Sequence, residues 1–279
     1  MQRSKNRVVA EHTLKILEQG YFFNPEGIRI VIRDEQAAAV ANTELWKIDP
    51  LTALAENIVL EKRYETNTAT CNDTTFNAIR RLVVKYPTHP IACLNFASAK
   101  NPGGGFLNGA QAQEECLARA SGLYNCLLEG KDYYELHRKM KSCLYTDTMI
   151  YSPLVPIFKY ENGEMMGNFV LASIVTSAAV NAGVVRKQEK SGIPLILPTM
   201  QGRVDKLLAL FAHQKAEILV LGAWGCGVFQ NEPEQIAELF YSALRTKYEG
   251  VFKHVEFAVL SKNTDKFIKP FEDRFGKLS

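Results

Sequence analysis

The sequence lacks the cysteine spacing of a zinc site or of a disulfide-rich domain. Its six cysteines are scattered over 279 residues and none forms a C-x-x-C pair, and none of the five histidines lies at zinc-ligand spacing from a cysteine. We therefore expect no metal and no other cofactor. Isolated cysteines are typical of proteins in a reducing compartment, so we expect a cytoplasmic protein.

Long apolar runs and a strong charge of one sign are also missing. The longest apolar stretches have the length of buried strands, well short of the roughly 20 residues that cross a bilayer. The basic residues 1–7 are not followed by the apolar segment of a signal peptide. The net charge is only +3, whereas nucleic-acid binders usually carry a basic stripe. We expect no membrane partner and no sequence-specific nucleic-acid binding, and an anionic ligand would be held by local geometry.

The apolar pattern predicts strands that alternate with helices. Short apolar runs typical of strands occur at residues 28–33, 91–96, 149–157, 168–179, 193–197, 217–222 and 255–260. Helical patterns occur at residues 8–19, after Asp73 as N-cap, from about Gln113, and at 202–214, 233–248 and 264–275. In the first helix, Val8, Val9, Ile16 and Leu17 are expected on the buried side.

This alternation predicts the α/β class, with a sheet covered by helices. We find no internal repeat and no linker rich in proline, glycine or serine, so we expect a single structural domain. Within it, residues 1–85 are predicted to be an N-terminal accessory segment, packed on a core formed by residues 86–279.

The most informative segment follows the predicted strand 91–96. Three successive glycines occupy positions 103–105, and Glu114 and Glu115 lie in the first turn of the next predicted helix. The N–H groups of such glycines can turn toward an anion or a sugar hydroxyl, although a plain surface turn is the alternative. The helix dipole favours ionised carboxylates at this position, and capping alone could account for both glutamates. Because adjacent helical residues point about 100° apart, only one of the two can act on a given bond.

A second glycine-rich loop follows the predicted strand that ends at residue 222. It contains Gly222, Gly225 and Gly227 and precedes a helical pattern, which is an arrangement that can hold a phosphate with backbone N–H groups. A tight turn is the alternative. Trp224 and Phe229 are candidates for stacking on a base or ribose, or for core packing. Cys226 is expected to be a small buried residue, since no histidine is placed to activate it.

Taken together, the two loops resemble a known enzyme family. The three glycines followed after seven residues by Gln113-Glu114-Glu115 resemble the motif of poly(ADP-ribose) glycohydrolases. The flanking sequences Asn95-Phe96-Ala97-Ser98 and Ala110-Gln111-Ala112 resemble the microbial branch of the family, and residues 222–229 are similar to its diphosphate-binding loop.

This resemblance implies a macrodomain-like fold, in which a mixed central sheet is flanked by helices and preceded by an N-terminal extension. It implies hydrolysis of ribose–ribose O-glycosidic bonds in poly(ADP-ribose) or in an ADP-ribosylated macromolecule. Glu115 would be the catalytic acid and Glu114 would hold ribose hydroxyls. Asn101 would contact the distal ribose, with Ser98 as the rival. Further implied substrate contacts are Gly103, Gly104, Gly105, Gln113, Gly222, Gly225, Cys226, Gly227, Val228 and Phe229.

Two other functions remain open at this point. A non-catalytic ADP-ribose-binding protein would also need both loops, but it would not need an acid at the bond to be cleaved, so the two carboxylates favour an enzyme. A hydrolase that removes single ADP-ribose units from protein or nucleic acid could use the same residues.

Overall fold

The computed structural model describes residues 2–261 and 264–278 of the chain. The helices are α1 (Gln2–Gln19), α2 (Arg33–Ala41), α3 (Ile48–Asn57), α4 (Thr75–Lys85), α5 (Gln113–Ala120), α6 (Leu123–Glu129), α7 (Lys131–Lys139), α8 (Ala182–Gln188), α9 (Ile196–His213), α10 (Pro233–Arg245) and α11 (Lys269–Phe275). The strands are β1 (Tyr21–Phe23), β2 (Arg29–Val31), β3 (Glu44–Trp46), β4 (Asn67–Cys71), β5 (Ile91–Phe96), β6 (Met149–Lys159), β7 (Met165–Ser177), β8 (Ile218–Leu221) and β9 (His254–Ala258).

The chain forms two compact units, each assembled from separate stretches of sequence. The first unit contains the chain up to Leu45, Asn95–Arg138 and Met149–Ser177, and the second contains Trp46–Leu94, Lys139–Thr148 and the chain from Ala178 onward. Strands β3 to β9 belong to a seven-stranded mixed sheet. The predicted α/β class, with a mixed sheet and flanking helices, is therefore confirmed. The division of the chain at residue 85 stays a prediction.

The first unit is organised around an antiparallel pair of long strands. Strand β6 pairs with β7, with Ile150 opposite Thr176, and β3 lies next to β6. Strands β1 and β2 form a separate antiparallel hairpin. A core cluster joins α1, this hairpin and β6 through Ile16, Leu17, Phe22, Ile32 and Phe158. Packing of these apolar side chains holds α1 in place, because burial of each large side chain contributes about 1.5–3 kcal/mol.

The second unit contains the parallel part of the sheet. Its strands follow the order β5-β8-β9-β4, with Ile91 opposite Ile218, and with His254 between Ile218 and Asn67. All residues of β8 and β9 are buried. Burial on both faces is typical of parallel strands covered by helices, and it explains why β8 has a continuous apolar sequence. Among the described residues, no helix is long and apolar enough to cross a membrane.

Helix α1 differs from its prediction in length and in its buried face. It begins at Gln2 and not at residue 8, and Val8, which was expected on the buried side, is 63% exposed. Two polar side chains are buried instead. The Asn6 amide donates to the carbonyl of Gly109 (3.2 Å), and the Thr13 hydroxyl donates to the carbonyl of Arg119 (2.5 Å). Hydrogen bonding to carbonyls distant in sequence makes their burial favourable, and an apolar pattern cannot reveal such partners.

Two further predictions of local structure are wrong. Thr74 is the N-cap of α4, because its hydroxyl accepts the N–H of Asn77 at 3.3 Å, whereas Asp73 forms an ion pair with Arg81 at 3.1 Å. Residues 193–197 do not form a strand but lie in a 3-10 helix, Lys190–Leu195, and in the start of α9. A short apolar run alone does not distinguish a strand from a buried helical turn.

One lysine of β6 lies fully buried against α1. The Nζ atom of Lys159 donates to the Thr13 hydroxyl at 2.7 Å and to the Val9 carbonyl at 3.2 Å. Burial lowers the pKa of this lysine to about 7, because a charged ammonium is disfavoured away from water. The contact between α1 and β6 therefore depends on a lysine that titrates near neutrality.

We expect Lys159→Met to remove a pH dependence of stability. The pKa of Lys159 is about 7 in the folded protein against 10.5 for an ordinary lysine, so the unfolded chain binds more protons between these values. Stability of the wild type should rise by a few kcal/mol across this window relative to the variant, and no further change from this group should occur below pH 7. Urea unfolding at several pH values measures this difference. If the free energies of unfolding of the two proteins changed with pH in parallel, the lowered pKa of Lys159 would be contradicted. The control is Lys15→Met, which replaces an exposed lysine of the same helix.

Candidate active site

The loop between β5 and α5 is tied at both ends to side chains of α5, one at the start of the helix and one in its last turn. At its start, the N–H of Phe96 donates to the Gln113 side-chain oxygen at 2.8 Å. At its end, the Arg119 guanidinium donates to the Ala110 carbonyl at 2.5 Å. We call residues 97–112 the catalytic loop. The contact with Phe96 shows that the side-chain oxygen of Gln113, predicted to touch substrate, holds the end of the strand.

Glu115 closes the second half of the catalytic loop. One carboxylate oxygen accepts the N–H of Gly105 at 2.9 Å, and the other accepts the N–H of Ala112 at 3.0 Å. Ala112 is the N-cap of α5, so Glu115 satisfies a donor at the helix start as an N3 glutamate does in a capping box. Gly104 has a φ of +59°, and a Cβ at this position would overlap Oε1 of Glu115. Only glycine therefore leaves room for the carboxylate of Glu115, which is half-buried.

Glu114 lies deeper and is held by the first half of the same loop. It is only 3% exposed, its Oε2 accepts the N–H of Ser98 at 2.6 Å, and its Oε1 lies 3.4 Å from the amide nitrogen of Asn95. Burial raises the pKa of Glu114 to about 8, and the charge of Glu115 adds to this, whereas the Ser98 N–H opposes it. The expected lowering by the helix dipole is wrong for Glu114, because desolvation outweighs it.

Two buried polar side chains near Glu114, those of Asn95 and Tyr134, were assigned no role in the sequence analysis. Asn95 is fully buried and also donates to the Thr176 hydroxyl at 3.1 Å. The hydroxyl of Tyr134 is buried and has no hydrogen-bond partner among the described residues, and the nearby Glu114 adds to the effect of burial in raising its pKa. The one available signal is Asn95 itself, a polar residue within the apolar run of β5.

The two candidates for contact with the distal ribose, Ser98 and Asn101, lie in different environments. The Ser98 hydroxyl accepts the N–H groups of Lys100 (3.3 Å) and Asn101 (3.1 Å), so it helps to shape the turn. Asn101 is exposed, and its carbonyl accepts the N–H of Gly104 at 3.0 Å. The Asn101 side chain is therefore accessible, whereas the Ser98 hydroxyl is engaged within the loop, and contact of either with the ribose stays a prediction.

The second glycine-rich loop lies in the second unit. Gly225 has a φ of +72°, and its carbonyl accepts a hydrogen bond from the side-chain amide of Asn231 at 3.2 Å. The sequence analysis did not single out Asn231. Gly227 is exposed, and a Cβ there would have no neighbour within 4 Å. Within the described parts of the chain, the N–H groups of Gly227, Val228 and Phe229 have no hydrogen-bond partner. They are available to an anion.

The remaining side chains of this loop have different environments. Trp224 is fully buried near Phe240, with ring centroids 6.4 Å apart, so it is a core residue and not a stacking platform. Cys226 is buried, and burial raises the pKa of its thiol, as expected of a small core residue. Val228 is 80% exposed. Phe229 is half-buried, and its carbonyl accepts the N–H of Gly183 at 3.0 Å.

Comparison with known proteins relates this site to one family. The family model described as the catalytic domain of microbial-type PARG matches residues 10–160. Poly(ADP-ribose) glycohydrolase from Thermomonospora curvata, solved with the inhibitor ADP-HPD, is 39% identical, with a TM-score of 0.90 over 97% of this chain and 99% of that one. The enzyme from Deinococcus radiodurans, solved with ADP-ribose, is 42% identical, with a TM-score of 0.81 over 86% and 96%. No curated protein matches the chain.

This chain belongs to the microbial-type poly(ADP-ribose) glycohydrolases. The family assignment and the predicted activity are thereby confirmed: the protein is a hydrolase of O-glycosidic bonds that acts as a poly(ADP-ribose) glycohydrolase. The structural likeness also confirms the macrodomain-like fold that the resemblance implied. The described residues include no cluster of three or more histidine, cysteine, aspartate or glutamate side chains that could hold a metal ion.

We expect Gly104→Ala to lower the turnover of this glycohydrolase by about tenfold or more. The added Cβ displaces the flexible carboxylate of Glu115, the expected catalytic acid, and small misplacements of a reacting group have large effects on rate. The matched control is Gly27→Ala in the β1–β2 turn, where φ is +77° but no atom lies within 4 Å of the added Cβ. Both variants bear the positive-φ strain of about 1–2 kcal/mol. Equal turnover of the two variants would contradict the overlap with Glu115.

Proposed function

We propose that Glu115 is the general acid that protonates the leaving ribose 2′-oxygen, and that Glu114 aligns ribose hydroxyls. The observation that supports this division is the different environment of the two carboxylates. Glu115 is half-buried and held by the N–H groups of Gly105 and Ala112, whereas Glu114 is almost fully buried beneath the Ser98 N–H. A group that transfers a proton needs access to the bond, while a positioning group needs rigidity.

The reaction then follows from the chemistry of the bond. The bond between the anomeric carbon of one ribose and the 2′-oxygen of the next breaks as Glu115 gives its proton to that oxygen. The sugar left behind has oxocarbenium character. Glu115, now ionised, takes a proton from the attacking water, whose oxygen bonds to the anomeric carbon. The acid is restored, and proton transfer of this kind contributes typically 10²–10⁴-fold to the rate.

Glu114 is suited to a different task at neutral pH. With a pKa of about 8, its carboxyl carries a proton in much of the population, so it can both donate to and accept from sugar hydroxyls. The amide of Asn95 and the N–H of Ser98 fix its orientation. We propose that Asn101, which is exposed on the same loop, contacts the distal ribose. Gly103 and Gly104 instead leave room for protein side chains, because a Cβ at Gly103 would overlap the Phe106 ring and one at Gly104 would overlap the Glu115 carboxylate.

In the second loop, we propose that the free N–H groups of Gly227, Val228 and Phe229 bind the diphosphate of ADP-ribose. Backbone amides can hold phosphate oxygens without a cationic side chain. Gly222, Gly225 and Cys226 would shape this loop, and the half-buried ring of Phe229 would pack on a ribose.

We propose further that the substrate is poly(ADP-ribose) or an ADP-ribosylated macromolecule, recognised through ADP-ribose and not through nucleotide sequence. The protein is proposed to act in the cytoplasm. All six cysteines are free thiols, which supports a reducing compartment.

Glu115→Gln should reduce kcat on poly(ADP-ribose) by at least about 10²-fold, while the Kd for ADP-ribose changes by less than about tenfold. Glutamine keeps the shape and one accepting oxygen but cannot transfer the proton, and a loss confined to the transition state appears in kcat. Steady-state kinetics and calorimetry on the same preparations measure the two quantities.

Glu114→Gln is the matched comparison on the same helical turn. It should raise KM and reduce kcat less than Glu115→Gln does, because a positioning residue also acts on the bound ground state. If Glu115→Gln retained more than about a tenth of wild-type turnover while Glu114→Gln abolished it, the proton would come from Glu114 and our assignment would be wrong.

Gly227→Val should weaken ADP-ribose binding strongly without unfolding the protein. The side chain would project into open space in the free protein, so the fold is preserved, but it would occupy the approach to the loop amides. Gly167→Val in β7, where a Cβ likewise has no neighbour within 4 Å, is the control. If calorimetry showed an unchanged ADP-ribose affinity for Gly227→Val, the proposed binding of the diphosphate by this loop would be wrong.

A further inference from the structure

The start of α1 carries a basic stretch to which the reaction gives no role. Arg3, Lys5 and Arg7 are exposed on the first two turns, and the first acidic residue of the helix is Glu11. Neither Arg3 nor Arg7 has an ion-pair partner among the described residues. Residues 95–112 also contain no acidic side chain that could neutralise them.

This stretch lies directly against the catalytic loop. The Asn6 amide donates to the carbonyl of Gly109 at 3.2 Å. A Cβ at Gly109 would overlap the carbonyl oxygen of Arg3, so the backbones of the helix and the loop are in close contact there. The same loop segment, residues 105–112, has its two ends bonded to the Glu115 carboxylate. The middle of the segment therefore rests on α1 while its ends hold the proposed acid.

The two arginines lie on the side of α1 that faces this loop. Ala10 and Leu14 pack against Phe106, the first residue of the 3-10 turn in the loop. Positions 3, 7, 10 and 14 are separated by four, three and four residues, so they form one row along a helix. Arg3 and Arg7 therefore continue the row that contacts Phe106 toward the start of the helix.

We propose that Arg3 and Arg7 form a subsite for the phosphates of the polymer chain on the leaving-group side of the cleaved bond. This rests on the proposed function of Glu115. Each unit of poly(ADP-ribose) carries a negatively charged diphosphate, and residues 105–112 connect Glu115 with the start of α1, which carries the two unpaired guanidinium groups. Arginine is suited to this contact because its planar donors match phosphate oxygens. The subsite binds the part of the substrate that free ADP-ribose lacks.

The test compares a long and a short substrate in the variants Arg3→Gln, Arg7→Gln and the double variant. The long substrate is poly(ADP-ribose), and the short one is nitrophenyl ADP-ribose, whose leaving group carries no phosphate. For the double variant, KM on the polymer should rise about three- to tenfold, and the slope of log KM against log salt should fall by about one for each arginine removed. Its kcat/KM on the short substrate and its Kd for ADP-ribose should match the wild type.

Lys15→Gln is the control, since it removes one positive charge from the same helix. Position 15 lies outside the row, roughly 18 Å along the axis from Arg3, and this variant should behave as the wild type on both substrates. The proposed subsite would be wrong if the double variant cleaved the polymer with the same KM as the wild type. It would also be wrong if kcat/KM fell equally on both substrates. If wild-type protein cleaved neither substrate, the proposed function would fail instead. Thermal midpoints of all variants establish that they are folded.

Discussion

Backbone N–H groups of the catalytic loop donate hydrogen bonds to two adjacent carboxylates, and the geometry of the site depends on these bonds. Glu114 accepts the N–H of Ser98, and Glu115 accepts those of Gly105 and Ala112. The first N–H groups of any helix have no partner within the helix, so acidic side chains are favoured at the start of α5. In this protein the same side chains also accept hydrogen bonds from the preceding loop and hold it in place. The loop and the two glutamates are therefore one structure, and a change in either affects both.

The same arrangement gives two neighbouring glutamates different properties. Burial raises the pKa of Glu114 to about 8, whereas Glu115 stays half-buried. A glycine at position 104 permits this, because any larger residue would occupy the space of the Glu115 carboxylate. Differences of environment between paired carboxyl groups are how glycosidases separate their roles. In this fold the proposed separation of roles arises within a single helical turn.

Local patterns predicted β5, the glycine loop and the start of α5, because a strand, a glycine-rich turn and a capping glutamate each have a short-range signature. They did not reveal β4, whose sequence Asn-Thr-Ala-Thr-Cys lacks an apolar run. They also missed the buried Asn6, Thr13 and Lys159, since each is stabilised by hydrogen-bond partners distant in sequence. The raised pKa of Glu114 likewise depends on tertiary burial, which the helix dipole alone does not predict.

The most direct test of proton donation by Glu115 is to measure Glu115→Gln on nitrophenyl ADP-ribose and on poly(ADP-ribose). Nitrophenolate leaves without protonation, so an enzyme that lacks its acid should be impaired much less on the activated substrate. We expect the loss of kcat relative to the wild type to be at least about tenfold smaller on nitrophenyl ADP-ribose than on the polymer. An equal loss on both substrates would contradict the assignment, because Glu115 would then act in a step other than protonation of the leaving oxygen.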